Sequence, residues 1–474
     1  MGITRRKLLK NTAAIGAAAG LAGCSNQIRD LLGNSSHAPI RPLSGRIGAV
    51  MRVIDRTTFG PTPELPETVS AMGIETFVHQ QLNAALPMDD ALKLALARLD
   101  IFCIDSAELR DLPEGEIVNQ LKQAALLRAV FDPNQLQERM VDFWSNHFNI
   151  YARKRYEAWR KPTDDVEVIR KHALGSFPNL LYASAKSPAM LEYLDNDSNK
   201  AGTANENYAR ELMELHTLGV DGGYTQRDVQ EVARCFTGWT IENRFLHPRG
   251  TFRFDESVHD DQEKTVLGQR IPPGGGISDG ERVLEILAFH PSTARHIAKK
   301  LCTYFLGESD NRMVENVSQT YLQTHGDIKS ILKTVLLSKA LMESPPIVKR
   351  PFDFVASALR AVDANSDCGR AVQKHLDDMG QSIFEWPMPD GFPVDAASWS
   401  GSLLARWNFA SELAFNRIPG TNLNLTQLKQ LSTLPLVKTM RQITLGLREG
   451  GIPTNVSEEM FLALCLSSPE FQWR

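Results

Sequence analysis

No Cys-x-x-Cys pair, no P-loop, no dinucleotide-binding glycine fingerprint and no His-Glu-x-x-His occurs in this 474-residue chain. Structural zinc ribbons, nucleotide-cradling enzymes and zinc peptidases depend on those spacings, so none of them has support here. Cysteine is scarce: Cys24, Cys103, Cys235, Cys302, Cys368 and Cys465, all widely scattered. Cys235, Cys302 and Cys465 fall in apolar helical patterns and read as small buried hydrophobes. Basic excess is missing too, with 52 Lys and Arg against 56 Asp and Glu. That balance speaks against a general nucleic-acid surface. Past the first two dozen residues no apolar run is long enough to span a bilayer, and no internal repeat is present.

What is present starts with Thr4-Arg5-Arg6-Lys7-Leu8-Leu9-Lys10, a charged segment with two adjacent arginines. An Ala- and Gly-rich run from Thr12 to Ala22 follows, too short for a stable span. Residues 1–23 therefore read as a twin-arginine signal peptide, a receptor-read address and not an anchor. Leu21-Ala22-Gly23-Cys24 resembles the lipobox of bacterial lipoproteins, so Cys24 is expected to carry lipid after cleavage; the alternative is a plain signal peptide with a cysteine at the junction. Arg5, Arg6, Lys7 and Lys10 leave with the signal, so 48 basic and 56 acidic side chains remain, a net charge of −8. Residues 24–45, rich in Ser, Asn, Pro and Gly, read as a flexible tether. The expected partners are the twin-arginine export machinery and a membrane, reached through the lipid on Cys24. The expected address is that of a periplasmic or cell-surface lipoprotein.

From residue 46 to 474 helical periodicity dominates, and no interior linker interrupts it. The expected fold is mainly α: one large multi-helical domain with a small β-hairpin insertion. Helices are expected over Val50–Thr57, Pro66–Leu82, Ile117–Phe131, Pro133–Phe148, Asn205–Leu218 and Pro291–Leu306, among others. Thr225 and Asp228 form a capping-box variant that opens a helix to Phe236. Thr251–Asp255 and Lys264–Ile271 have strand character and are expected to pair with each other. Trp386-Pro387-Met388-Pro389-Asp390-Gly391-Phe392-Pro393 breaks the helical series.

Several polar blocks carry possible chemistry. On a helix, Glu206, Arg210 and Glu214 stack at i, i+4 and i+8, with Asn207 and Glu211 in the next row. Two carboxylates with His216 nearby suit acid–base work or a metal, and a Glu–Arg–Glu ladder holding helices together is the plainer alternative. Asp195, Asp197, Asn199 and Glu206 fall at positions 1, 3, 5 and 12 of an EF-hand-type frame, which raises calcium. Lys200 stands where that frame needs glycine, so an Asx-turn loop capping the next helix, with Asn205, competes. In Phe143-Trp144-Ser145-Asn146-His147-Phe148 a polar pair sits among aromatics, as in a pocket wall. His259-Asp260-Asp261 with Lys264 lies between the two strand-like segments and suits the lip of an active site. Trp239 ends the helix before it as a packing or binding anchor. No pattern names a cofactor.

Glu138-Arg-Met-Val-Asp-Phe-Trp-Ser-Asn-His-Phe148, Asn205-Glu-Asn-Tyr-Ala-Arg-Glu-Leu-Met-Glu-Leu-His-Thr-Leu-Gly219, Tyr224-Thr225, Thr237-Gly-Trp239 and His259-Asp260 with Lys264 together resemble the motifs of the bacterial domain-of-unknown-function family 1800. The resemblance runs from about Arg46 to Phe471. It implies an exported protein without an established reaction, often encoded beside an exported, sulfatase-like partner. It also implies a second histidine where this chain has Ser145, a departure that weakens a two-histidine metal site. Two readings follow. One is an enzyme acting on a cell-envelope or extracellular polymer by acid–base or metal-assisted chemistry, through His147, Glu211, Glu214, His216, His259 and Asp260, with Asn146, Asn205, Asn207, Arg210, Trp239 and Lys264 as binding residues. The other is a non-catalytic lipoprotein that binds or matures the sulfatase-like partner.

Overall fold

The computed structural model describes residues 46–104, 108–244, 247, 249–307, 310–444, 452–453 and 455–474. Residues 1–45, expected as a signal peptide and tether and including Cys24, lie outside them. The described residues build a mainly α-helical body in which strands occur only as three two-stranded antiparallel pairs. Among them no helix is long and apolar enough to cross a membrane.

Side chains set many helix starts by accepting orphan backbone N–H groups. Ser176 caps Phe177–Ala185 and Asp327 caps Ile328–Leu336. Thr225 and Asp228 form the expected reciprocal box on Gln226–Cys235, with Asp228 N–H on Thr225 Oγ1 at 3.2 Å and Thr225 N–H on Asp228 Oδ2 at 2.8 Å. The segment expected as one helix from Pro66 to Leu82 is two, Leu65–Met72 and Ile74–Asn83, broken at Gly73. The expected pairing of Thr251–Asp255 with Lys264–Ile271 is also wrong. Phe252–Phe254 pairs with Trp239–Ile241, and Lys264–Val266 folds back on Gln269–Ile271. The Leu267–Gly268 turn closes that second hairpin locally, at less loop-closure cost than the long-range pairing.

The apolar interior forms two cores. The first gathers Trp144, Phe148, Phe177, Leu212, Phe236, Trp239 and Leu301. The second gathers Phe59, Leu121, Leu127, Phe354, Phe409 and Leu462. An ionic bolt joins them. Arg139, on the first-core helix Gln135–His147, is fully buried and pairs with Asp353 of Pro351–Ala361. Arg350 pairs with Asp353 at 3.1 Å and also with Asp142, which accepts the Tyr304 hydroxyl at 2.9 Å. Cys235, Cys302 and Cys465 are buried among apolar side chains, as their pattern predicts.

The helix expected over Asn205–Leu218 changes pitch. Glu206–Glu211 is α-helical, but Leu212–Thr217 winds as a π-turn, with the Thr217 hydroxyl donating to Leu212 O at 2.6 Å. The wider turn rotates later side chains off the α-helical rows, a device common at functional sites. Arg210 therefore meets Glu206 at 2.9 Å, while Glu214 is turned toward the Tyr224 hydroxyl at 3.4 Å. The Glu206–Arg210–Glu214 ladder does not form.

Candidate functional site

The helix Gln135–His147 ends beside the irregular segment 386–393 and holds it in place. Asn146 Nδ2 donates to Phe392 O at 3.1 Å, and Phe392 N–H donates to Asn146 Oδ1 at 2.7 Å. Asn149 Nδ2 donates to Trp386 O at 2.9 Å and to Met388 O at 2.7 Å. Gly391 completes the junction: its φ is +76°, and a Cβ there would lie 2.2 Å from the Asn146 carbonyl oxygen. Asn146, expected as a ligand-binding residue, spends its amide on this clamp. Gly391→Ala is expected to destabilise the fold by about 2 kcal/mol, from left-handed backbone strain plus the clash. Chemical denaturation followed by tryptophan fluorescence checks this, and an unchanged midpoint contradicts the clamp.

At the end of this helix opens a cleft of about 460 Å³, lined in part by His147, Val220, His296, Lys300 and Val394. The His147 ring centroid lies 6.0 Å from that of His216 and 6.3 Å from that of His296. His147 Nε2 meets the His216 carbonyl at 3.1 Å, and His296 Nε2 meets the Leu215 carbonyl at 3.1 Å. A carbonyl only accepts, so Nε2 carries the proton in both rings. That leaves His147 Nδ1 as a bare acceptor, buried and without a hydrogen-bond partner. Gly219 (φ +83°) lies just past the π-turn and allows the close approach, since a Cβ there would sit 2.8 Å from His296 Nδ1.

Burial decides the charge states. It drives His147 well below the ordinary histidine range, helped by Lys300, His216 and His296. It takes His216 down to about 3 and His296 to about 4, with Lys300 again contributing to each. Burial also lowers Lys300 to about 8, against a smaller opposing pull from Asp390. Asp390 acts on the neighbouring acid as well: Glu211 is raised by burial, then by Glu214, with Asp390 adding to the shift against Arg210. The arrangement offers neutral imidazoles and an amine that gives up its proton near physiological pH, beside a carboxyl biased toward its protonated form. Those are the components of general acid–base catalysis.

Other expected site residues serve the fold. Asn205 accepts from Asn207 N–H at 3.0 Å and donates to Asp195 O at 3.2 Å, while Asn207 Nδ2 donates to Leu194 O at 3.1 Å. The EF-hand-type frame is dispersed. Asp195 pairs with Lys154 and Arg155, each at 3.2 Å, and Asn199 donates to Ala233 O at 2.9 Å. Glu206 is taken by Arg210 and by Gln226, the latter at 2.7 Å, and Asp197 is half-buried with its carboxyl raised by burial. Among the described residues no three His, Cys, Asp or Glu side chains are arranged to hold a metal ion.

His259, Asp260, Lys264 and Trp239 form a separate clasp that fastens the hairpins to helix Gln226–Cys235. His259 lies between Thr237 O at 2.8 Å and Asp279 Oδ2 at 3.2 Å, and Lys264 Nζ reaches the same Asp279 oxygen at 2.5 Å. Asp260 pairs with Arg234 at 2.8 Å. Thr237 Oγ1 is 3.1 Å from His259 Nδ1, so a Thr–His–Asp relay is suggested, yet Thr237 is fully buried and its hydroxyl already donates to Arg234 O at 2.6 Å. Trp239 is fully buried against Phe236 and Phe252 and binds nothing from outside. Gly276-Ile-Ser-Asp-Gly280 nearby matches Gly-x-Ser-x-Gly, the spacing of a hydrolase nucleophile elbow. Ser278, however, sits in the first turn of Ile277–Ala288, outside positive φ, and donates its hydroxyl to Gly275 O at 2.7 Å. It lacks the strained strand-to-helix position and the histidine partner that such a serine requires.

Ser145 faces a different cavity, shared with Glu138, Asp165 and Arg170, and its buried hydroxyl has no partner there. Side chains at 145 and 147 therefore point into separate spaces. The residues that sequence reasoning missed are His296, Lys300 and Asp390. The available signal was His296 and Lys300 at i, i+4 on Pro291–Leu306, a polar pair on one face of an amphipathic helix.

A family model described as Protein of unknown function (DUF1800) matches residues 52–473. No curated protein and no solved structure matches significantly. The chain belongs to the DUF1800 family.

Proposed function

We propose that this family member is an exported, lipid-anchored enzyme that acts on a cell-envelope or extracellular polymer by acid–base catalysis in the His147–Lys300 cleft. The observation that carries the reading is the convergence of His147, His216, His296 and Lys300 from three separate chain segments. His147 Nδ1 lacks a partner, and burial brings Lys300 down to about 8. Structural histidines ordinarily satisfy both ring nitrogens, so a buried imidazole acceptor without a partner beside a cleft marks a site under another demand. Lys300 is the base, and Glu211, whose carboxyl is raised by burial and then by Glu214, is assigned as the acid; Asp390 acts on both groups. The N-terminal signal and Cys24 supply the address.

The test is incubation of the purified exported protein with fractionated cell-envelope and extracellular polymers, reading released fragments by mass spectrometry. The reading expects fragments from at least one fraction, with a rate that climbs through about pH 8 as Lys300 loses its proton. Folded protein that releases nothing from any fraction overturns it and leaves the partner-binding lipoprotein.

A further inference from the structure

The wall of the cleft opposite His147 is a single helix face. Ser292, Arg295, His296, Lys299, Lys300 and Thr303 of Pro291–Leu306 all line it. Spacings of three and four residues put them in one row. From Ser292 to Thr303 the row is about 16 Å long at the α-helical rise. That length suits several units of an extended chain better than one small molecule.

The row is also cationic, in a protein whose charge is not. Arg295, Lys299 and Lys300 face the cleft against one lining carboxylate, Asp221, whereas the whole chain carries a net charge of −4. These cations are poorly compensated by the fold. The Arg295 pair with Glu315, at 3.3 Å, is between side chains each more than half exposed, and such pairs hold little energy. Among the described residues no carboxylate stands within ion-pair contact of Lys300; Asp390 acts on it only at longer range. At the mouth, Val220 and Val394 are 68% and 51% exposed, apolar surfaces that a chain of ring or alkyl units would cover.

We propose that the cleft binds an extended polyanion, a chain bearing phosphate or carboxylate groups, with its oxyanions along Arg295 and Lys299 and its backbone across Val220 and Val394. The inference rests on the acid–base reading of the same cleft and names its substrate class. Lys and Arg recognise both oxyanions by charge-assisted hydrogen bonds. A cleft lined by one sign of charge concentrates such ligands from solution. Phosphate and carboxylate chains share this chemistry, and the experiment separates them.

Isothermal titration calorimetry of the whole protein with short-chain polyphosphate, an oligogalacturonate and a neutral maltooligosaccharide tests the proposal. The double variant Arg295→Glu/Lys299→Glu changes only exposed positions, and its melting temperature verifies folding. At least one anionic chain is expected to bind the wild type, with affinity falling as salt is added and dropping by about tenfold or more in the variant. Which anionic chain binds identifies the group. Equal binding of the neutral chain, no binding of either anionic chain, or anionic binding indifferent to the charge reversal overturns the inference. Polyanion binding without turnover of any polymer would leave this inference standing and remove the acid–base reading; turnover of a neutral polymer alone would do the reverse.

Discussion

Lys300→Met is expected to lower turnover in the cleft by about 10²–10⁴-fold, the range that a positioned acid–base group supplies. The same change is expected to stabilise the protein near neutral pH. Burial brings Lys300 down to about 8 from an ordinary 10.5. A lysine whose folded value is depressed costs stability while it must stay charged, below about pH 8. Between about pH 8 and 10.5 the unfolded chain binds more protons than the folded one, so stability rises across that window and the cost disappears above it. The cost at pH 7 is up to about 3 kcal/mol. Methionine fills a similar volume without the charge, so the variant should be the more stable protein at pH 7 and lose that advantage by about pH 10. Urea titrations at the two pH values measure the gap. A variant that is less stable at pH 7 and fully active would show Lys300 to be structural. A loss of turnover together with a gain of stability is the trade expected where a fold maintains an unfavourable group for chemistry.

Asp353→Asn is expected to cost about 3–5 kcal/mol, the range seen when one partner of a buried ion pair is removed. Burial pushes the Asp353 carboxyl up, but Arg350 and then Arg139 overcome it and hold the group far below the usual carboxylate range. Asparagine keeps the shape and leaves two buried guanidinium groups without their shared counterion. The sign follows from the depressed value: the contribution is fully present above the unfolded carboxylate range and is lost as pH falls through the folded value. The gap between wild type and variant should therefore be constant from about pH 5 to neutrality and narrow only in acid. Because Arg139 belongs to one core and Asp353 to the other, the loss should loosen their junction first. Hydrogen exchange read along Gln135–His147 and Pro351–Ala361 would localise it. A change below about 1 kcal/mol would mean that the bolt is solvated and behaves as a surface pair.

The helical class was legible because the apolar period is local and the caps are written in Ser, Thr and Asp. Thr225 with Asp228 shows this: two side chains and two backbone N–H groups, three residues apart, suffice to start the helix. Strand pairing was not legible, because Trp239–Ile241 reads as the end of a helix, without strand character of its own, and its pairing with Phe252–Phe254 is fixed by tertiary packing such as that of Trp239 on Phe252. The π-turn at Leu212–Thr217 was invisible for a related reason. An α-helical row through Glu206, Arg210 and Glu214 is the default at that spacing, and nothing in the residue types announces a wider turn. Part of the candidate site was in view from the motifs: His147 and His216, with Glu211 nearby on the same helix as His216. The rest came from segments without a motif, Pro291–Leu306 and the Trp386–Pro393 segment, whose irregular sequence is fixed by Asn146 and Asn149. His259 and Asp260 drew attention for their residue types, yet their partners Thr237, Asp279 and Arg234 make them a clasp.

The most direct test of the acid–base site is the titration of one amine. Competitive acylation of the lysines across a pH series, read peptide by peptide by mass spectrometry, gives the midpoint of Lys300. The account predicts a midpoint near 8, moving lower in Asp390→Asn because Asp390 is what supports the charge. A midpoint near 10.5, indifferent to position 390, would show an ordinary solvated lysine and leave the cleft without its base.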